Sequence, residues 1–109
     1  MSKLTKSYKA GLLRDLGDPS EAAEYLNAAL EDGNQDVFLL ALRDVAEARG
    51  MTNLARDASL NRENMYKLLS DKGNPKLSSL SAILNQLGLK LAIKIKKMHP
   101  DPSYRERES

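Results

Sequence analysis

The chain has no cysteine and no tryptophan among its 109 residues. Without cysteine no disulfide can staple the fold, no thiolate can hold a metal and no cysteine nucleophile is available. Such a chain suits a reducing compartment. Aromatics are scarce, four Tyr and one Phe, so leucine and alanine must fill most of the interior, a mixture that favours packed helices. The lone histidine, His99, lies in a proline-flanked tail with no second histidine to complete a Ser/His or metal arrangement. There is no phosphate-binding glycine loop and no nucleophile elbow. Catalysis, metals and cofactors are therefore not expected. No run of eighteen consecutive apolar residues occurs, and the N-terminal stretch is not apolar enough for a signal peptide. The expectation is a cytoplasmic protein that engages no membrane.

What is present is the length of one domain, enough for a single modest core. The net charge of +2 conceals a division along the chain. Residues 1–50 carry six basic and nine acidic side chains. Residues 51–98 carry nine basic and three acidic ones, and residues 99–109 two basic and three acidic ones. A half suited to a polyanion thus follows an acidic half suited to a basic protein.

Asp18-Pro19-Ser20-Glu21 reads as a helix start, with Asp18 as cap, Pro19 at the first helical position and Glu21 placed to close a capping box. This helix should run to about Asp32 and stop at Gly33, with Ala22, Ala23, Leu26, Ala29 and Leu30 on one face. Asn34 can cap a second helix through Val37, Phe38, Leu40, Ala41, Val45 and Ala48, ended by Gly50. Two short helices follow, over 52–58 and 61–70. Lys72-Gly73-Asn74-Pro75 signals a loop, and Ser78 is placed to cap a last helix through Leu80, Ile83, Leu84 and Leu87 that ends at Gly88.

After Gly88 the period becomes alternating, with Leu89, Leu91, Ile93 and Ile95 on one side and Lys90, Ala92, Lys94 and Lys96 on the other, which predicts a strand over 89–97. A lone strand needs a mate within the chain, in a second copy or in another protein. Residues 1–17 read as an N-terminal arm and 99–109 as a disordered tail. The expected fold is mainly α: a single domain over 1–98, built of five helices and one C-terminal strand.

Residues 51–70 meet the demands of two helices crossing through a tight turn. Leu54 and Ala55 lie on the inner face of the first, Ala58 and Leu60 flank the turn at Ser59, and Met65, Leu68 and Leu69 form the inward stripe of the second. At 100° per residue, Glu63, Lys67 and Ser70 fall opposite that stripe, with Asn64 and Tyr66 on its flanks and Asn61 and Arg62 at the N-terminal end. If this helix enters a major groove, Arg62 can fork onto guanine, Asn61 or Asn64 onto adenine, and Glu63 can accept from cytosine. Lys67 can reach a base or a phosphate. Thr52, Lys72, Asn74, Lys76 and Ser78 are candidate phosphate contacts.

The stretch LARDASLNRENMYKLLSDKGNPKLSSLSAILNQLGLKL resembles the Cro and phage-repressor class of helix-turn-helix proteins. With the preceding DPSEAAEYLNAALEDGNQDVFLLALRDVAEARGM it is similar to the HigA-like antidote proteins of addiction modules, over residues 12–93. The resemblance rests on Leu54-Ala55, the run from Asn61 to Tyr66, Gly73-Asn74-Pro75 and Leu87-Gly88-Leu89 in order and spacing. It departs at Ser59, where that class usually has glycine at the turn. The resemblance implies an antitoxin that neutralises a RelE/ParE-like toxin and, as a homodimer on double-stranded operator DNA, represses its own operon.

Blander roles compete for the same residues. Two short amphipathic helices occur in many helical domains, and Asn61, Arg62 and Asn64 can cap or meet phosphate as readily as read a base. The strand lysines can form a solvated face, and the acidic half a solvated surface. A prophage-type repressor without a toxin, and a toxin-binding module that no longer reads DNA, are the alternative functions.

Overall fold

A computed structural model describes residues 14–95. Five helices follow one another: α1 (Pro19–Glu31), α2 (Gln35–Arg49), α3 (Met51–Asp57), α4 (Arg62–Leu68) and α5 (Leu77–Gln86).

Local hydrogen bonding sets most helix starts. The Asp18 carboxylate accepts the Glu21 amide at 3.2 Å, and Pro19 occupies the first turn of α1, where its missing N–H costs nothing. The capping box expected at Glu21 is not closed, because the Asp18 amide already donates to the Asp15 carbonyl at 3.1 Å. Asn34 Oδ1 accepts the Asp36 amide at 2.8 Å and starts α2. Gly50, at φ 112°, ends α2 by donating to Ala46 O and opens α3 by accepting from the Leu54 amide. This double use of one residue starts α3 at Met51, earlier than the expected residue 52. The last helix differs too: Lys76 takes the cap position with no side-chain bond, and Ser78 sits exposed in the first turn of α5.

Packing selects among the apolar positions. α1 buries Ala22, Leu26 and Ala29, whereas Ala23 is half-buried and Leu30 is 51% exposed. The face is narrower than the sequence spacing predicts. On α2 the buried set is Phe38, Leu39, Ala41, Leu42, Val45 and Ala46, and the expected core residues Val37 and Leu40 stay exposed. Leu42, Val45 and Ala46 sit at the centre of the helix at full burial, and they meet Leu54, Met65, Leu69, Ile83 and Leu87 in one continuous core. Each such large side chain contributes about 1.5–3 kcal/mol of burial. Among the described residues no charged or polar side chain is buried.

Arg49, the last residue of α2, fastens the far end of the bundle. Its guanidinium donates to Gln86 O at 3.2 Å and to Leu87 O at 3.3 Å, satisfying orphan carbonyls at the C-terminus of α5 and placing a cation at the negative end of that helix. Tyr25 Oη donates to Asp44 Oδ2 at 2.7 Å and clips α1 to α2.

The expected strand is absent from the described residues: 89–95 carry no ladder pairing. Leu89 remains half-buried against the core, while Leu91, Ile93 and Ile95 are exposed, the last two almost completely. Alternation alone cannot make a strand when no second strand lies alongside to take its amides and carbonyls. Lys96, Lys97, the tail 99–109 and residues 1–13 of the arm lie outside the described residues.

Candidate nucleic-acid interface

The turn between α3 and α4 fixes how the second helix leaves the first. The Ser59 amide donates to Arg56 O at 3.0 Å and the Leu60 amide to Ala55 O at 2.7 Å. This nested pair is a Schellman closure, which needs a left-handed residue at its centre. Ser59 supplies it at φ 61°, the single non-glycine residue with positive φ among those described. The departure from glycine noted in the sequence therefore falls on a residue that adopts the glycine conformation.

Leu60 then packs half-buried on the core, and Asn61 Oδ1 accepts the Asn64 amide at 2.7 Å to start α4. Met65 and Leu69 are fully buried beneath it. With that side anchored, the opposite side must face out. Asn61, Arg62, Glu63, Asn64 and Lys67 are all exposed, at the N-terminal end and along the outer face. α4 is shorter than the sequence predicts, closing at Leu69 rather than at Ser70, whose hydroxyl donates to Lys67 O at 3.0 Å.

These five residues are not equivalent. The Asn61 carbonyl oxygen already holds a backbone amide, whereas the Asn64 side-chain amide makes no hydrogen bond among the described residues. The guanidinium of Arg62 lies 5.6 Å from the centroid of the Tyr66 ring, one turn along, within the range of a cation–π contact. Glu63 forms no ion pair with any described residue; the pair there is Arg56–Asp57 at 3.5 Å, exposed and worth little.

The loop after α4 comes back beside it. Asn64 and Lys67 share an open depression of about 370 Å³ with Asn74, Lys76 and Ser79, floored by Leu60 and Leu68. The structure thus brings together two of the five candidate base contacts and two of the five candidate phosphate contacts. Thr52, Lys72 and Ser78 are exposed but do not line this depression, and neither does Arg62. Gly73 makes the approach of the loop possible: a Cβ there would stand 2.8 Å from the Leu68 carbonyl carbon and closer still to its oxygen. Gln35 Nε2 holds the loop from the other side by donating to Gly73 O at 3.2 Å.

Two members of this surface escape a reading of sequence. Ser79 enters only through the fold of the loop. Arg43, on α2 in the acidic half of the chain, brings its guanidinium to 5.0 Å from the Tyr66 centroid. The spacing of Arg62 and Tyr66, four apart on one helix, is a legible signal for their contact; nothing local announces Arg43.

Exposed charge is divided along the chain. Between residues 15 and 36 there are seven exposed acidic side chains and no basic one. None of the seven forms an ion pair with a described residue. Across 51–95, Arg56, Arg62, Lys67, Lys72, Lys76, Lys90 and Lys94 stand against Asp57, Glu63 and Asp71.

Comparison with known proteins places this arrangement in a family. Residues 7–95 match the family profile described as "Probable addiction module antidote protein". A protein of Haemophilus influenzae described as "Uncharacterized protein" is 38% identical over 78 residues, covering 72% of this chain and 80% of its own. No solved structure matches. No helix among the described residues is long and apolar enough to cross a membrane. Antidotes act by restraining a toxin, so membership speaks for a regulatory role and a toxin partner. The chain belongs to the family of probable addiction module antidote proteins.

Proposed function

We propose that this antidote is a sequence-specific DNA-binding protein that represses its own operon as a homodimer while neutralising a RelE/ParE-like toxin. The observation that carries the DNA-reading half is the Ser59-centred turn, which joins α3 to an α4 with Met65 buried and Asn61, Arg62, Glu63, Asn64 and Lys67 exposed. In this reading α3 and α4 are a helix-turn-helix and α4 enters the major groove by its N-terminal end. Arg62, Asn61 and Asn64 read purines, Glu63 reads cytosine, and Lys67 reaches a base or a phosphate. Thr52, Lys72, Asn74, Lys76 and Ser78 hold the backbone on either side. Asn74 and Lys76 are supported best among these, since both line the same depression as Asn64 and Lys67.

The dimer reading is supported by the exposed apolar side chains of Leu91, Ile93 and Ile95 beyond Leu89, which a second copy can cover by pairing strand to strand. Two copies related by a two-fold axis would engage half-sites about one helical turn, ~34 Å, apart.

The test is binding of purified protein to the DNA upstream of its own reading frame at low salt, with the oligomeric state measured by sedimentation. A monomer indifferent to that DNA removes the repressor role. Co-expression with a small basic gene product encoded alongside tests the other half: rescue of growth is expected, and continued toxicity would remove the pairing.

A second reading, a toxin-binding module that does not read DNA, draws on the seven uncompensated acidic side chains between 15 and 36. Deleting α1 is then expected to abolish neutralisation. Neutralisation that survives the deletion would exclude α1 as the toxin surface.

A further inference from the structure

Two arginines of α2, six residues apart, are used in opposite ways. Arg49 directs its guanidinium to the carbonyls of Gln86 and Leu87, so its donors serve the fold. Arg43 is half-buried, yet its guanidinium makes no hydrogen bond and no ion pair with any described residue. Glu47, one turn further along α2, lies outside ion-pair distance of it. What holds Arg43 is the Tyr66 ring, 5.0 Å away, and the same ring holds Arg62 at 5.6 Å. One ring of α4 thereby aligns two permanent cations, one from α2 and one from the N-terminal end of α4.

A guanidinium has five N–H donors in a planar fork. The contact with the ring engages the charge of the guanidinium, and none of its N–H donors is taken by a described residue, so Arg43 is held against α4 and unspent. The ligand that matches such a fork with two parallel hydrogen bonds is a carboxylate or a phosphate oxygen pair. Beside Arg62, at the end of α4 taken to enter the groove, the anion at hand is the DNA backbone. The geometry points to Arg43 as a phosphodiester-binding residue of the DNA interface, held in place by Tyr66. This inference rests on the reading of α4 as the groove-entering helix. It assigns to DNA a residue from the half of the chain whose charge balance is acidic.

The division of labour follows from reach. Arg43 comes from a neighbouring helix and meets the backbone flanking the groove, so its contribution is independent of sequence. Arg62 lies on α4 itself and contributes to discrimination. Tyr66 fixes both by its ring, a role its hydroxyl does not share.

The experiment measures binding of Arg43→Gln, Arg43→Met, Arg43→Lys, Tyr66→Phe and Tyr66→Leu to the upstream DNA and to a scrambled duplex, over a series of salt concentrations. Arg43→Met keeps the packed stem and removes only the charge, so it decides the matter where Arg43→Gln folds poorly. Loss of the charge is expected to weaken both duplexes alike, by roughly three- to tenfold, and to lower the salt slope by about one. Arg43→Lys is expected to keep the slope with part of the affinity, and Tyr66→Phe to behave as wild type. Tyr66→Leu is expected to weaken both duplexes. An unchanged salt slope in Arg43→Met, or a loss confined to one duplex, overturns the assignment while leaving the DNA-binding reading intact. Wild-type protein that binds neither duplex overturns both.

Discussion

Ser59 and Gly88 occupy the same position in two helix ends closed by the same pair of hydrogen bonds, at φ 61° and φ 79°. After α5 the Gly88 amide donates to Asn85 O at 3.1 Å and the Leu89 amide to Leu84 O at 2.8 Å. After α3 the Ser59 and Leu60 amides repeat the pattern. A left-handed conformation costs an L-residue about 1–2 kcal/mol, against which glycine loses more backbone freedom on folding. Ser59→Gly is therefore expected to stabilise the protein by about 0.5–1 kcal/mol. Thermal unfolding should show a midpoint raised by several degrees; an unchanged or lowered midpoint would mean that the turn carries no strain.

Gly73 needs space rather than an unusual φ. A methyl group there meets Leu68 O, the Leu68 carbonyl carbon at 2.8 Å and Lys67 O at 3.0 Å, all backbone atoms that cannot swing aside. Gly73→Ala is expected to cost about 1–3 kcal/mol and to displace Asn74 and Lys76 from α4. Chemical denaturation measures the first effect and DNA affinity the second. Full stability in this variant would show that the loop does not approach α4 as described.

Removing the Arg49 guanidinium leaves the carbonyls of Gln86 and Leu87 without their donors. Arg49→Met should destabilise the protein by about 1–2 kcal/mol. DNA binding per folded molecule is expected to stay unchanged, in contrast with Arg43→Met. A loss of affinity in a stable Arg49→Met protein would place Arg49 in the interface instead.

Asn61 has two roles that substitution can separate. Its Oδ1 caps α4, and an aspartate can do the same, whereas alanine cannot. Asn61→Ala is expected to lose about 1 kcal/mol of stability, with Asn61→Asp close to wild type. Both should bind the upstream DNA more weakly, since neither retains the amide donor. If Asn61→Asp binds as wild type does, Asn61 is a cap and not a reader.

Much of this molecule is legible in one dimension. Asp18, Asn34 and Asn61 each accept an amide two or three residues ahead, so the signal and its effect lie within one turn of chain. The glycines at 33, 50 and 88 mark helix ends through their own positive φ. The outward side of α4 follows from the inward one, because Met65 and Leu69 fix the rotation of the helix. Where neighbours along the chain compete, the reading weakens. The Asp18 amide is taken by Asp15 O and so is lost to Glu21, and α4 closes at Leu69 in advance of Ser70.

The linear chain alone sets the order of the helices, the turn at residues 58–60, and a polar outer side for α4, since these arise from hydrogen bonds and periodicity over a few residues. Which apolar side chains are core was settled by the packed fold. Val37 and Leu40 carry an apolar pattern as good as that of Leu39 and Leu42, but burial depends on which helix lies opposite. It alone distinguished Arg43 from Arg49, because the two are told apart by a ring on α4 and by carbonyls at the end of α5. It also shows 89–95 without ladder pairing among the described residues, since alternation describes one chain segment and a ladder requires two.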